Sequence, residues 1–189
     1  MAGWIKTILK NLNNPSSAQA PVAAGKKREG TYYPQFFEAD KLEQAKAIAI
    51  IPEDGMSTEE RWNGETEFML DHIASRLAVG AKNTLVDFGC GVGRMSRALI
   101  WRHGCAVPGV DQSAKMREHA QSYVGSPRFN VVSPAQIDAM TREGFVADFG
   151  LAVWVLRHCV HPAMEIGRIA NALATEKRSS DGWQILVFG

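Results

Sequence analysis

The sequence predicts an α/β fold, a mostly parallel sheet with helices on both faces. Three observations lead there. Short apolar runs alternate with segments of helical periodicity from Thr84 onward. A glycine loop, Gly89-Cys-Gly-Val-Gly93, stands where the first run gives way to a helix. An acid, Asp111, closes the next run, twenty residues after Gly91.

Each element has its own signal. Residues 38–49 favour helix by composition. Ser57 followed by Glu60 fits a capping box that opens a short helix, and Asn63-Gly64 is expected to interrupt it. From Glu65 to Val79 a second helix carries Met69, Leu70, Ile73 and Leu77 on one face, with Gly80 placed to cap it. Thr84–Phe88, Ala106–Val110, Phe129–Val132, Phe149–Trp154 and Gln184–Phe188 read as strands. Ser96–Arg102 and Ser113–Tyr123 read as helices. So does the segment opened by Pro162, with Ile166, Ile169, Ala170 and Leu173 as its apolar face.

Composition narrows the function classes. The chain has 189 residues, 46% hydrophobic and 22% charged, with a net charge of +1. This is an ordinary globular domain with no overall bias toward nucleic acid. No apolar run is long enough to span a bilayer. Cys90, Cys105 and Cys159 cannot all pair within the chain, and no C-x-x-C occurs. They read as reduced thiols of a cytoplasmic protein, without a metal site. Charge is uneven: Lys6, Lys10, Lys26, Lys27 and Arg28 precede the first acid, Glu29, which leaves −4 for the remainder. Residues 1–30 read as an arm and linker, of which 1–28 are expected to be dispensable for folding and ligand binding, and 31–189 as the working domain. Within the arm, Trp4, Ile5, Ile8, Leu9 and Leu12 have helical spacing. They suit either a surface-docking helix or a weakly ordered extension.

The segment Val86-Asp-Phe-Gly-Cys-Gly-Val-Gly-Arg94 carries the chemistry. Three glycines allow a sharp turn and bare backbone against a ligand, and the following helix directs N–H groups at an anion. The dinucleotide fingerprint G-x-G-x-x-G fails here, because Arg94 or Ser96 stands where its last glycine is needed. This disfavours a nicotinamide oxidoreductase, and no G-K-S/T marks a nucleotide-triphosphate loop. Asp111, at the neighbouring strand end, suits either the ribose hydroxyls of an adenosine or a helix N-cap before Ser113.

These segments resemble the class I S-adenosylmethionine-dependent methyltransferases. VDFGCGVGR resembles the first motif, GVDQSAKM the second and DFGLAVWVLRHCVHP the fourth-strand motif; the likeness covers roughly residues 58–189. It implies a Rossmann-like sheet, apparently truncated after the fifth strand and lacking the usual C-terminal hairpin. It implies S-adenosyl-L-methionine as cofactor. Gly89, Cys90, Gly91 and Gly93 would hold the methionine end, with Asp87 near the amino group or ordering the loop. Asp111 would take the ribose, and Gln112 and Met116 would lie against the adenine. The acid usual after the third strand is missing, so Ser133, Ala135 or Gln136 would serve there, or the adenine would be read by backbone only. Val153 and Trp154 would line the opening beside the sulfonium.

A methyl group on sulfonium needs mainly an aligned nucleophile. His158, after the fourth strand, is the candidate base, or else a histidine that closes a turn. His161, three residues on, gives only a weak hint of a metal pair, and Cys90 only a weak hint of a reactive thiol. Trp62 is either a lid over the cofactor or plain packing. No Asn-Pro-Pro-Tyr element follows the fourth strand, so the expected acceptor is a small molecule methylated at oxygen or carbon. The alternative is a cofactor-binding or inactive module completed by a partner chain. An open edge on the fifth strand would then favour self-association.

Overall fold

The computed structural model describes residues 37–52, 55–173 and 185–188. The arm at 1–30 and the start of the fifth strand at Gln184 lie outside the described residues. The elements run α1 (Leu42–Ala49), α2 (Thr58–Arg76), β1 (Leu85–Phe88), α3 (Arg94–His103), β2 (Val107–Val110) and α4 (Ala114–Val124). They continue β3 (Phe129–Val132), α5 (Pro134–Arg142), β4 (Phe149–Val153), a 3-10 turn (Leu156–His158), α6 (Pro162–Asn171) and β5 (Ile185–Phe188).

All five strands are parallel, in the order β3-β2-β1-β4-β5. β1 is central, with Phe88 level with Val110 on one side and Ala152 on the other. Alternate residues serve the two faces. Leu85 packs with α2, α3 and α4 through Met69, Ile73, Leu99 and Val124. Val86 and Phe88 pack with α5 and α6 through Ile137 and Ile169. Both faces are therefore covered, as an all-parallel sheet requires. The chain leaves β1 toward β2 and returns on the other side of β1 as β4. The carboxyl ends of β1, β2 and β4 consequently flank a crevice, the position where open α/β sheets take ligands.

Several expected boundaries are corrected. Asn63-Gly64 does not break α2, which is one helix of nineteen residues. Its capping box, formed by Ser57 and Glu60, and the buried face of Trp62, Met69, Leu70 and Ile73 outweigh the roughly 1 kcal/mol cost of one helical glycine. The helix stops at Arg76, not Val79, because Leu77 turns extended to bury its side chain; Gly80 is not its cap. α3 is longer than expected at both ends, between left-handed Gly93 and Gly104. α5 was not anticipated as an element, although Ser133, Pro134 and Gln136 give it a capping box with proline in its first turn. Trp154 leaves β4 by a left-handed turn and does not extend it.

Candidate active site

The crevice holds a cleft of about 350 Å³. Its floor is the loop after β1. Backbone N–H groups of Gly89 and Cys90 both donate to the carbonyl of Val110, at 2.7 and 3.0 Å, which ties the loop to β2. Gly89, Gly91 and Gly93 all have left-handed φ, but for different reasons. At Gly89 a Cβ would collide with the Val155 side chain, so glycine there admits the chain leaving β4. At Gly93 a Cβ would stand 2.5 Å from Val124, so glycine there lets α3 start against α4. At Gly91 a Cβ would meet nothing within 4 Å, which leaves bare backbone facing open space.

Asp111 fastens this loop. Its Oδ2 accepts the Gly91 N–H at 2.9 Å and its Oδ1 accepts the Ser113 N–H at 2.8 Å. The N-cap of α4 is Ser113 itself, whose hydroxyl accepts from Met116 N at 3.2 Å. Each carboxylate oxygen of Asp111 keeps a lone pair for a further donor, and the residue lines the cleft. Burial raises its pKa above the ordinary value, against the two backbone bonds and Arg117, which lower it.

Asp87 lies on the α3 face of β1. Ser96 Oγ donates to its Oδ2 at 2.6 Å. Burial pushes its pKa from 3.8 up to about 6, opposed by the Ser96 bonds and by Arg94. Cys90 is buried beside Gly109, and burial raises its thiol pKa well above the ordinary value. That keeps it protonated and inert.

The far wall comes from the chain after β4. Trp154 has φ +59, a conformation that is an outlier for a bulky residue. Its N–H donates to Phe188 O at 2.7 Å, which anchors the turn to β5. The turn brings Val155 onto Gly89 and places His158 at the mouth, edge-on to Phe37 at 5.7 Å. Burial, then Arg157, lowers the His158 pKa. Phe37 and Ala39 are held over the site by Ser113 Oγ, which donates to Phe37 O at 3.0 Å, and by His119 Nε2 at 2.7 Å from Ala39 O.

Asp87, Gly89, Cys90, Gly91, Asp111, Gln112, Met116, Val153, Trp154 and His158 all line this one cleft. Gly93 does not; it is buried between helices. Ser133 and Gln136 do not line it either. They bond each other across the α5 capping box, with Gln136 Oε1 accepting Ser133 N–H at 2.8 Å, while Ala135 faces solvent. Pro134 is the residue of that stretch that reaches the cleft. Trp62 lines it too, yet is buried against Met116 and Val92, so it is wall and packing at once. No group of three or more His, Cys, Asp or Glu that could hold a metal occurs among the described residues.

Among the cleft residues that the sequence did not single out are Phe37, Met164 and Arg94. For Arg94 a signal existed. A cation on the first residue of a helix opposes the helix dipole and needs another reason to be there.

A family model described as a methyltransferase domain matches residues 60–178, well over half of the chain. The chain belongs to the class I S-adenosylmethionine-dependent methyltransferases. The family uses S-adenosylmethionine as its methyl donor. The chain is 29% identical over 102 residues to the ubiquinone biosynthesis O-methyltransferase of Coxiella burnetii, covering 53% of this chain and 43% of the relative. It is 43% identical over 56 residues to the geranyl diphosphate 2-C-methyltransferase of Streptomyces lasalocidi, covering 30% and 18%. The matched stretches thus span less than half of each curated relative. Among solved structures, the magnesium protoporphyrin IX methyltransferase of Synechocystis with bound S-adenosylmethionine aligns with TM-score 0.54 and 22% identity, covering 80% of this chain and 74% of that one. A protein of Methanococcus maripaludis assigned as an S-adenosylmethionine-dependent methyltransferase aligns with TM-score 0.59 and 15% identity, covering 88% and 67%. At these identities the likeness is one of fold.

Proposed function

We propose that this methyltransferase binds S-adenosylmethionine in the cleft and transfers its methyl group to a small-molecule acceptor at oxygen or carbon. The observation that carries the reading is the open backbone of Gly91 beside the Asp111 carboxylate. Bare backbone accommodates a ligand's close approach, and the carboxylate has room for two hydroxyl donors of a ribose. Asp87 supplies a carboxylate for a cationic amine. Gln112 and Met116 flank the ribose position and offer the adenine one polar and one apolar surface. Gly93, Ser133, Ala135 and Gln136 carry no direct contact in this reading.

When bound, the cofactor supplies an activated methyl group on a sulfonium. The chain's own residues orient the acceptor and shield it from water. Phe37, Val160 and Met164 give the mouth an apolar lining suited to an uncharged organic acceptor. His158, kept neutral by its lowered pKa, accepts the proton of an acceptor hydroxyl. Oxygen or carbon as the acceptor atom agrees with the reactions named for the Coxiella and Streptomyces relatives. Cys90, Cys105 and Cys159 are free, which suits a reducing, cytoplasmic setting. No helix among the described residues is long and apolar enough to cross a membrane.

The test is thermal melting of the full chain with S-adenosylmethionine, S-adenosylhomocysteine or NAD. Both S-adenosyl ligands should raise the melting temperature, and NAD should not. No response to either S-adenosyl ligand at millimolar concentration would overturn the reading.

A further inference from the structure

We infer that the outer face of α6, beside the cleft mouth, docks on an anionic lipid bilayer, with the basic N-terminal segment as its electrostatic anchor. Docking of this kind needs no cofactor, so the inference stands apart from the proposed reaction.

α6 is apolar on more than its inner side. Of its ten residues only Ile169 is buried. Outward, five of the seven residues from Val160 to Ile166 are apolar and exposed: Val160, Pro162, Ala163, Met164 and Ile166. Met164 is 55% exposed, Val160 46% and Ile166 40%. Apolar side chains scattered singly over a surface are ordinary, but a contiguous run marks a place of contact. The two charged residues of α6 are spent within the fold. Glu165 and Arg168 bond each other, and Arg168 Nε donates to Asp138 Oδ1 of α5 at 2.8 Å. Val160 and Met164 also line the cleft, so the run and the mouth are continuous.

Charge decides what covers this face. Arg157 stands exposed just ahead of the run. Phe37, where the described chain begins, lines the cleft, so the preceding segment joins the body at the mouth. That segment carries Lys6, Lys10, Lys26, Lys27 and Arg28 before its first acid, Glu29. Next to the junction the exposed acids are Glu38, Asp40 and Glu43, and Asp40 has Lys115 at 3.9 Å. The five cations outnumber them. Trp4, Ile5, Ile8, Leu9 and Leu12 recur at helical spacing around Lys6 and Lys10, a basic amphipathic pattern suited to a headgroup boundary. Folded back on α6, the same segment would set its lysines beside Arg157, with Glu165 and Asp138 already taken by Arg168. An anionic bilayer serves both parts at once: headgroups for the cations, hydrocarbon for Met164 and Ile166. In the proposed reaction, such docking turns the mouth toward acceptors dissolved in lipid.

The experiment is co-sedimentation of the full chain, without cofactor, with two kinds of vesicle. One is phosphatidylcholine alone; the other is phosphatidylcholine and phosphatidylglycerol in equal parts. The mixed vesicles should bind about tenfold more tightly or better, and high salt should remove the difference. Met164→Glu with Ile166→Glu should weaken binding to the mixed vesicles by about tenfold or more and leave the melting temperature unchanged, since both side chains are exposed. If the double variant does not fold, Met164→Glu alone reads the same quantity. Lys6→Glu with Lys10→Glu should weaken binding as well. No binding of wild type to the mixed vesicles would overturn the inference; it is the result expected if the N-terminal segment or another protein covers α6. Equal binding to both vesicles, or binding unchanged in the α6 variants, would overturn it too. None of these results bears on S-adenosylmethionine, whose binding is read separately by thermal melting.

Discussion

Asp111 holds the Gly91 and Ser113 N–H groups while facing the cleft, so its removal acts twice. Asp111→Ala should weaken S-adenosylhomocysteine at least tenfold by calorimetry and also lower the melting temperature of the free protein. An unchanged affinity would show that the carboxylate serves only the loop. Asp87 makes a prediction in pH. Its pKa rises on folding from 3.8 to about 6, so the folded state favours the protonated acid. The stability it contributes is full below 3.8 and is lost as pH rises through about 6, at a cost on the order of 3 kcal/mol. Asp87→Asn carries no such cost and can still accept from Ser96. Melting temperatures should therefore shift in the variant's favour between about pH 4.5 and pH 7.5, and a constant difference would count against a raised pKa. Asp111 was legible in the sequence because strand length and crossover geometry fix which acid meets a glycine loop. Arg94 was less so: its place on the first residue of a helix was its sequence signal, while its burial beside Glu65, across from α2, shows only in the fold.

At the scale of elements, three glycines that look equivalent in G-x-G-x-G divide three tasks. Gly93→Ala meets both the Val124 side chain and a left-handed φ of +81, so it should cost more than the roughly 1 kcal/mol of backbone strain alone. Gly91→Ala has only the strain, since its Cβ enters open space. Urea denaturation should place Gly93→Ala well below Gly91→Ala in stability. Calorimetry should reverse the order of concern, with Gly91→Ala the poorer binder relative to its stability. If Val124→Ala fails to recover part of the Gly93→Ala loss, the helix contact is not the cause. The sequence showed the loop but not this division, because the distinction lies in what each Cβ would meet from α4 or the β4 turn. It also showed both halves of the Ser133–Gln136 capping box, yet that stretch drew attention as an adenine contact. A Ser-Pro-x-Gln run is a helix start before it is a binding site.

At the scale of the molecule, the parallel order and covered faces were legible because each strand is a short apolar run bounded by turns. The cover over the cleft was not, since Phe37 and Ala39, just before α1, are tied down through backbone carbonyls accepting from Ser113 and His119. With the small apolar cluster of Ala39, Ala45 and Ile50 on Trp62 and Met116, this attachment is still less extensive than the two clusters that cover the sheet. Amide exchange should be slowest in β1 and β4 and much faster in α1, with S-adenosylhomocysteine slowing α1 most. Exchange from α1 as slow as from β1 would mean that the cover is part of the core.

The central position of β1 also sets an order in time. β1 pairs on one side with β2, about twenty residues later, but on the other with β4, where Leu85 meets Phe149 sixty-four residues on. During synthesis the first partner emerges long before the second. A nascent chain that has released β3 can already stack β1, β2 and β3 against α3 and α4, while one edge of its central strand has nothing to pair with. For that interval the future middle of the sheet is its border, and Leu85-Val-Asp-Phe88 offers free backbone groups to any neighbouring chain. The buried Asp87 in that strand, charged and solvated until the sheet closes, is the one residue placed to keep such borders apart.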